Sequence, residues 1–421
     1  MVGLVSGYRL ADRLMRGSSA AIAAVSLLAL PAAREDVPTS PALVPAGSAE
    51  TAVARPVEPV ARAEEDIPDP LVLDSGEQVE SVQVWEKQRR PELLAAFREQ
   101  VYGQTLPAPT DMSFDEESGS GGPRKVTINV TGPEGSASFT LRVFVPSSSG
   151  KPEGTFLLID HRGSVGDDPD SSGYAPVSKI LDAGYAVAAL NAEEVAPDDS
   201  SSYRDGVINA FYPSGRDLPD DAGRTISAWA WGASRAMDYL ETDSAIDPSK
   251  VAVIGHSRGA KAALWAGAQD TRFPVVVSNN SGSTGAKLAR RDDAGESIAA
   301  INSQFPHWFP ETYKAYNDQP TSLPVDQHEL LALIAPGRVV VGSASEDGNA
   351  DPEGEYLSFM AAAPVYDLYG LGDTGLANGT WPPKAGQTFR SSGMSYHLRS
   401  GGHGLEDEDW AIYLEGKMFE R

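Results

Sequence analysis

The sequence predicts an α/β fold, a three-layer sandwich with a mostly parallel central sheet and helices on both faces. Two observations carry that expectation. Short apolar runs alternate with amphipathic stretches along most of the chain, the pattern of buried strands joined by crossover helices. One of those runs, Val251-Ala252-Val253-Ile254, leads through Gly255-His256-Ser257-Arg258-Gly259 into a helical stretch over 260–268, giving strand, tight turn and helix in succession.

Taken from the N-terminus, Arg9, Arg13 and Arg16 precede the apolar stretch 20–30 and the small residues Pro31-Ala32-Ala33. A charged segment, an apolar segment too short to span a membrane and a cleavage-type site make residues 1–33 an expected signal peptide. Residues 34–66 are rich in Pro, Ala, Val and Glu without period, which predicts a disordered linker. A single folded domain is expected over 67–421. It opens on a helix over 91–102, with Pro91 at its start. Residues 125–130 and 137–145 alternate as an antiparallel pair. Residues 155–159 and 185–190 are apolar enough to be central parallel strands, with a helix between them over 177–183. Residues 193–223 read as a long polar loop near the cleft. A long amphipathic helix follows over 225–240. Residues 338–344 and 394–399 are late strands, and a helix closes the chain.

The spacing Gly255-x-Ser257-x-Gly259 is that of a nucleophile elbow. Small residues at both ends allow a sharp turn that lifts one serine hydroxyl above the sheet. The residue after the serine opens a helix, so its backbone N–H and the positive helix end can stabilise an oxyanion. The expected fold is thereby an α/β-hydrolase, with Ser257 as nucleophile. In that fold the partners follow in the order serine, acid, histidine. His403, in the flexible loop Ser400-Gly401-Gly402-His403-Gly404, is the expected base. His397 lies within the preceding strand and is the structural alternative. The acid comes from the loop after 338–344, which holds Glu346, Asp347, Asp351 and Glu353. Asp347 follows the strand closely and is favoured. Asp351 precedes Pro352 at a helix start, so it reads as an N-cap or as the alternative acid.

Several blocks of this sequence resemble bacterial glucuronoyl esterases of carbohydrate esterase family 15. They are residues 253–261 with 263–270, Ser278-Asn279-Asn280-Ser281-Gly282, Arg290-Arg291 with Gly295-Glu296, Phe305-Pro306-His307-Trp308-Phe309, Asp326-Gln327-His328 and 350–355. The resemblance implies a serine carboxylesterase acting on esters of (4-O-methyl-)glucuronic acid, as in lignin–xylan cross-links, with no cofactor and no metal. It implies that Arg258 helps hold the oxyanion, and that Lys261, Glu296 and Trp308 contact the sugar. Family members keep their acid in one of two loops; Asn279-Asn280 stands where one of them has a glutamate, which supports Asp347. Asn349 stands where many bacterial members carry a sugar-facing tryptophan.

Composition fits this picture. The chain has 421 residues, 41% of them hydrophobic, ample for one large core. A net charge of −25 disfavours nucleic acid and anionic membranes as partners. No cysteine is present, which excludes disulfides, thiolate metal sites and a cysteine-linked lipid anchor. A secreted, periplasmic or cell-surface monomer acting on glucuronoxylan or lignin–carbohydrate esters is expected, free of the membrane once the signal is cleaved. Three other readings remain at this level: an acetyl or feruloyl xylan esterase of the same fold, a carbohydrate-binding relative without activity, and a metal-dependent hydrolase, for which no His-x-x-x-His pairing exists.

Overall fold

A computed structural model describes residues 67–118, 122–147, 150–372, 383–415 and 418–420. The signal peptide and linker expected over 1–66 lie outside the described residues. Among those described, the strands are β1 (Asp111–Ser118), β2 (Arg124–Thr131), β3 (Ser136–Phe144), β4 (Thr155–Asp160), β5 (Ala186–Asn191), β6 (Val251–His256), β7 (Val275–Asn279), β8 (Arg338–Ala344), β9 (Gln387–Arg390) and β10 (Met394–Arg399). They form one ten-stranded sheet in the order β1-β2-β3-β5-β4-β6-β7-β8-β10-β9. The run from β5 to β10 is parallel throughout. Antiparallel strands flank it: β1 to β3 on one side and β9 on the other.

The helices used below are α1 (Arg90–Gln100), α2 (Val177–Asp182), α3 (Ala192–Val195), α4 (Val207–Phe211), α5 (Thr225–Leu240), α6 (Arg258–Gln269), α7 (Ile298–Gln304), α8 (Gln327–Ala332), α9 (Pro352–Leu368) and α10 (Asp407–Leu414). Alternation along the strands sends side chains to two cores. Leu157 and Ile159 of β4 face the larger one with Trp229, Leu264 and Phe359, from α5, α6 and α9. Phe156 and Leu158 face the smaller one with Ile180 of α2 and Trp410 of α10. These are the two helical layers of the α/β-hydrolase sandwich expected from the sequence. Helix α6 carries Ala260, Ala262, Ala263 and Ala266, all at most 1% exposed. Their small size lets the nucleophile helix lie close on the sheet, where a Cβ on Gly267 would come within 2.2 Å of Val276.

Residues 193–223 depart from the expected polar loop. The segment contains most of α3 and all of α4, and Val195, Ala196, Val207, Ile208 and Phe211 are buried in the larger core. The apolar residues come in pairs broken by polar stretches, too short for either period to show. Strands β1 and β9 have no counterpart in the sequence reading. Both are edge strands, and β1 (DMSFDEES) is largely acidic, the kind of composition that keeps an edge from pairing with another chain.

Candidate active site

Ser257 sits between β6 and α6 with φ 55° and ψ −126°. A non-glycine residue in this region is strained by about 1–3 kcal/mol, held by its surroundings. Sterics require glycine at 255 and leave little room for more at 259. A Cβ on Gly255 would lie 2.1 Å from Gly259 O, and one on Gly259 would meet Ile159 O at 3.0 Å and His161 Nδ1 at 3.1 Å. The Ser257 N–H donates to Asn279 O at 2.9 Å, tying the turn to the neighbouring strand.

Sheet order does the rest. β6, β7, β8 and β10 are successive parallel neighbours, so the loops leaving their C-terminal ends lie side by side. They carry Ser257, Asn280, Asp347 and His403. His403 Nε2 stands 2.9 Å from Ser257 Oγ, and His403 Nδ1 stands 2.7 Å from Asp347 Oδ2. A carboxylate only accepts, so Nδ1 carries the proton and Nε2 is left to accept from the serine. Asn280, itself at φ 47°, donates from Nδ2 to the same Asp347 oxygen at 2.8 Å. The Asp347 side chain is 2% exposed. Burial would raise its pKa, but the hydrogen bonds from His403 and Asn280 outweigh that and hold it below the usual carboxylate value.

Asp351 is engaged elsewhere. It caps α9, accepting from Gly354 N at 3.0 Å, and pairs with Arg291 Nε at 3.0 Å. His397 is fully buried in β10, with Nε2 2.7 Å from Asp409 Oδ1.

The remaining candidates line a cavity of about 270 Å³ beside the serine, together with Ser281, Gly282, Gln304, Phe305, Asn349 and Ala350. Arg258 is ion-paired to Asp198, and its guanidinium carbon lies 4.7 Å from the Trp308 ring centre and 5.0 Å from that of Phe305. Asp198 also accepts from Trp308 Nε1 at 2.6 Å and faces His307 Nε2 at 2.9 Å. Burial opposes its charge, yet these three donors together hold its pKa far below normal. Lys261 is 4% exposed, and its Nζ donates to Ser281 O and Ser283 O at 2.5 Å each. Burial pushes its pKa down to about 8, against the charges of Glu296 and Glu355. Glu296 pairs with neither Arg290 nor Arg291, which hold Asp326 and Asp351. Trp308 is 3% exposed, and Phe305 stacks on it at 3.8 Å with planes 3° apart. One face of the tryptophan expected to meet a sugar is therefore covered, and Phe305 shares the cavity wall with it.

Two residues had no role in the sequence reading. Asp198 lies 60 residues from Arg258, in the insertion expected near the cleft. His256, fully buried, lies under His403 with ring centres 4.6 Å apart. Burial first, then the neighbouring His403, lower the His256 pKa to about 3, so an uncharged ring underlies the candidate base. Among the described residues, no group of three or more His, Asp or Glu side chains could hold a metal ion. None of their helices is long and apolar enough to cross a membrane.

Comparison with known proteins adds a second line. A family model described as fungal glucuronyl esterase matches residues 128–370. A carbohydrate esterase of an unknown prokaryotic organism is 35% identical over 386 residues, covering 83% of this chain and 88% of that protein. The 4-O-methyl-glucuronoyl methylesterase 1 of Wolfiporia cocos is 30% identical over 367 residues, covering 85% and 83%. Among solved structures, a glucuronoyl esterase from Solibacter usitatus superposes with a TM-score of 0.76 at 34% identity, covering 84% of this chain and 98% of that one.

Proposed function

The chain belongs to the glucuronoyl esterases of carbohydrate esterase family 15, and from that premise we propose how its site hydrolyses esters of (4-O-methyl-)glucuronic acid. It is a carboxylic ester hydrolase. The observation that carries the reading is that one cavity holds both the hydrogen-bonded row Ser257–His403–Asp347 and three polar side chains suited to a sugar ester, Arg258, Lys261 and Glu296.

In this reading Ser257 Oγ attacks the ester carbonyl while His403 Nε2 takes its proton. Asp347 keeps the imidazole in the tautomer with Nδ1–H and stabilises the imidazolium that forms. Negative charge on the carbonyl oxygen is met by the backbone N–H of Arg258, at the start of α6, and by its guanidinium. Asp198 and the Phe305–Trp308 stack fix that guanidinium before the substrate arrives, so little reorganisation is left for the transition state. His403 then protonates the departing alcohol. Water, activated by the same nitrogen, releases the uronic acid. Lys261 has two N–H groups on backbone carbonyls and a third for a sugar hydroxyl, and Glu296 offers acceptors for others. Trp308 supports this wall chiefly by holding Asp198. The natural substrate proposed is a glucuronoxylan ester, as in lignin–carbohydrate cross-links. The enzyme is proposed to act as a secreted, periplasmic or cell-surface monomer, a reading supported by the Arg-flanked N-terminal segment, and without nucleic-acid partners, supported by the net charge of −25.

Turnover of methyl and benzyl glucuronate beside acetylated and feruloylated xylan tests this directly. Glucuronate esters should be cleaved with the higher kcat/KM, and exchanging methyl for benzyl should change the rate modestly. A preference for acetyl or feruloyl esters would leave the esterase chemistry standing and overturn the substrate.

A further inference from the structure

The loop that carries His403 is poorly suited to hold a base in place. Of its five residues, 400–404, three are glycines, and Gly401 has φ +93°. The His403 side chain is 44% exposed; His256 beneath it and Asp347 at Nδ1 hold the ring but not the glycine backbone that carries it. Glycine-rich loops keep much conformational freedom, and a base must meet its nucleophile within a few tenths of an ångström to act. Something else must order this one.

Arg399, the last residue of β10, does so by geometry. It is 2% exposed. Its Nη1 donates to Ser400 O at 2.8 Å, and its Nη2 donates to Gly402 O at 2.8 Å and Gly404 O at 2.7 Å. Those carbonyls bracket His403 on both sides. Its Nε donates to Asp409 Oδ2 at 2.7 Å. Asp409 is fully buried, caps α10 through Glu406 N at 2.9 Å, and accepts from His397 Nε2 at 2.7 Å through its other oxygen. The guanidinium is thus anchored to a fixed carboxylate and grips the loop backbone with three of its remaining four donors. Two backbone bonds tie the same loop to the acid loop: Ser345 N to Arg399 O and Glu346 N to Gly401 O, both 2.9 Å. None of Arg399, Asp409 and His397 lines the cavity beside Ser257.

We propose that Arg399 is a positioning residue for His403, acting through the three loop carbonyls, with Asp409 and His397 as its anchor. The proposal rests on the reading of His403 as the base. Arginine is needed because a planar fork with five donors serves three carbonyls and a carboxylate together, whereas an ammonium is a point charge with three.

The test compares Arg399→Lys, which keeps the buried charge that Asp409 requires, with His403→Ala. Readouts are kcat and KM on methyl glucuronate, the rate and end-point stoichiometry of Ser257 labelling by a fluorophosphonate, and Tm. Folded Arg399→Lys should lose about 10- to 100-fold in kcat, in line with the loss from a misplaced catalytic group. KM should stay within about twofold and labelling should slow in parallel, while one label per chain is still reached, because the base is misplaced in every molecule. A stability role alone would instead lower the end-point stoichiometry and leave kcat per labelled site unchanged, which overturns the proposal. Should Arg399→Lys not fold, Asp409→Asn carries the test. It loosens the anchor and should cost about 3- to 10-fold in kcat at full stoichiometry; unchanged kcat overturns the proposal. Failure of both variants to fold would assign Arg399 to stability and overturn it too. Normal turnover by His403→Ala would overturn the base assignment and the clamp together, whereas normal turnover by Arg399→Lys with an inactive His403→Ala overturns the clamp alone.

Discussion

Two histidine–aspartate pairs stand six residues apart on one strand and its loop. His397 with Asp409 and His403 with Asp347 have the same 2.7 Å separation. Their settings are opposite. Both members of the first pair are fully buried, and His397 lies opposite Gly342 of β8, where a Cβ would come within 2.4 Å of its ring. The second pair is open on the histidine side, 44% against 2% exposed, and its free nitrogen faces a serine. A histidine oriented by a carboxylate is therefore not by itself a base. It becomes a base when its other nitrogen reaches a nucleophile at a cavity.

The comparison can be broken most decisively at the serine. Ser257→Ala should reduce ester hydrolysis by about 10³-fold or more, because the covalent step is removed. Circular dichroism and Tm should stay near wild type. Near-normal turnover in the folded variant would make the exposed pair as structural as the buried one.

Exchanging one aspartate at a time sharpens the contrast. Asp347→Asn should cut kcat by roughly 10²–10⁴-fold, since His403 loses its orienter and the charge that stabilises its protonated form. Its effect on urea unfolding should be small. Asp409→Asn should show the reverse balance: about 1–3 kcal/mol of stability from a buried donor left poorly paired, and a much smaller fall in kcat. If the two profiles were interchanged, the roles assigned to the pairs are wrong.

That contrast also separates what was legible in the sequence from what was not. The elbow was readable because it is local: glycines at 255 and 259 and an apolar run on either side suffice. That His403 would stand beside Ser257 was readable from chain order and from its loop at the end of a late strand. The acid was ambiguous because four carboxylates crowd 346–353, and only tertiary partners distinguish them. Asn280 and His403 converge on Asp347, whereas Gly354 N and Arg291 take Asp351. Asp198 could not be read at all. It sits in a polar-looking insertion and meets Arg258 through a tertiary contact of a segment whose apolar residues are buried in the core. Trp308 was placed at the cavity, but nothing in its neighbours in sequence said that Phe305 would cover one of its faces. The Arg399 clamp was equally hidden, since its acceptors are backbone carbonyls.

Lys261 tests whether the cavity beside the open pair is a sugar site. Lys261→Met should lower kcat/KM on methyl glucuronate by roughly 5- to 150-fold, the worth of about 1–3 kcal/mol for an unpaired buried partner. The loss on a small acetyl ester should be little. Its titration gives an independent reading. With a pKa of about 8, the ammonium gives up its third N–H as pH rises through that value. The neutral amine can still serve Ser281 O and Ser283 O, but it then turns a lone pair to the cavity. KM for the sugar ester should rise from pH 7 to 9 in the wild type and stay flat in Lys261→Met. Equal losses on both esters would remove Lys261 from sugar recognition.

The smallest effect is expected at Asn349, two residues beyond Asp347. Its side chain is exposed at the cavity, and its backbone is already fixed, because its carbonyl accepts from Glu296 N at 2.9 Å. A larger side chain can therefore be placed there without recasting the loop. Asn349→Trp would add a flat apolar face to the cavity wall. An added aromatic contact is worth about 0.5–1.5 kcal/mol, so KM for methyl glucuronate should fall by roughly 2- to 10-fold. The hydrogen bonds of Asp347 are untouched, so kcat should hold within about twofold, and Tm should not move because the position is open to solvent. This is the signature of a site beside the open pair, where substitution alters substrate affinity and leaves the fold alone. His397 itself is fully buried, so its own surroundings leave no room for an added side chain of that kind. A fall in kcat without a gain in KM would mean that position 349 constrains the acid loop, and that the sugar sits elsewhere in the cavity.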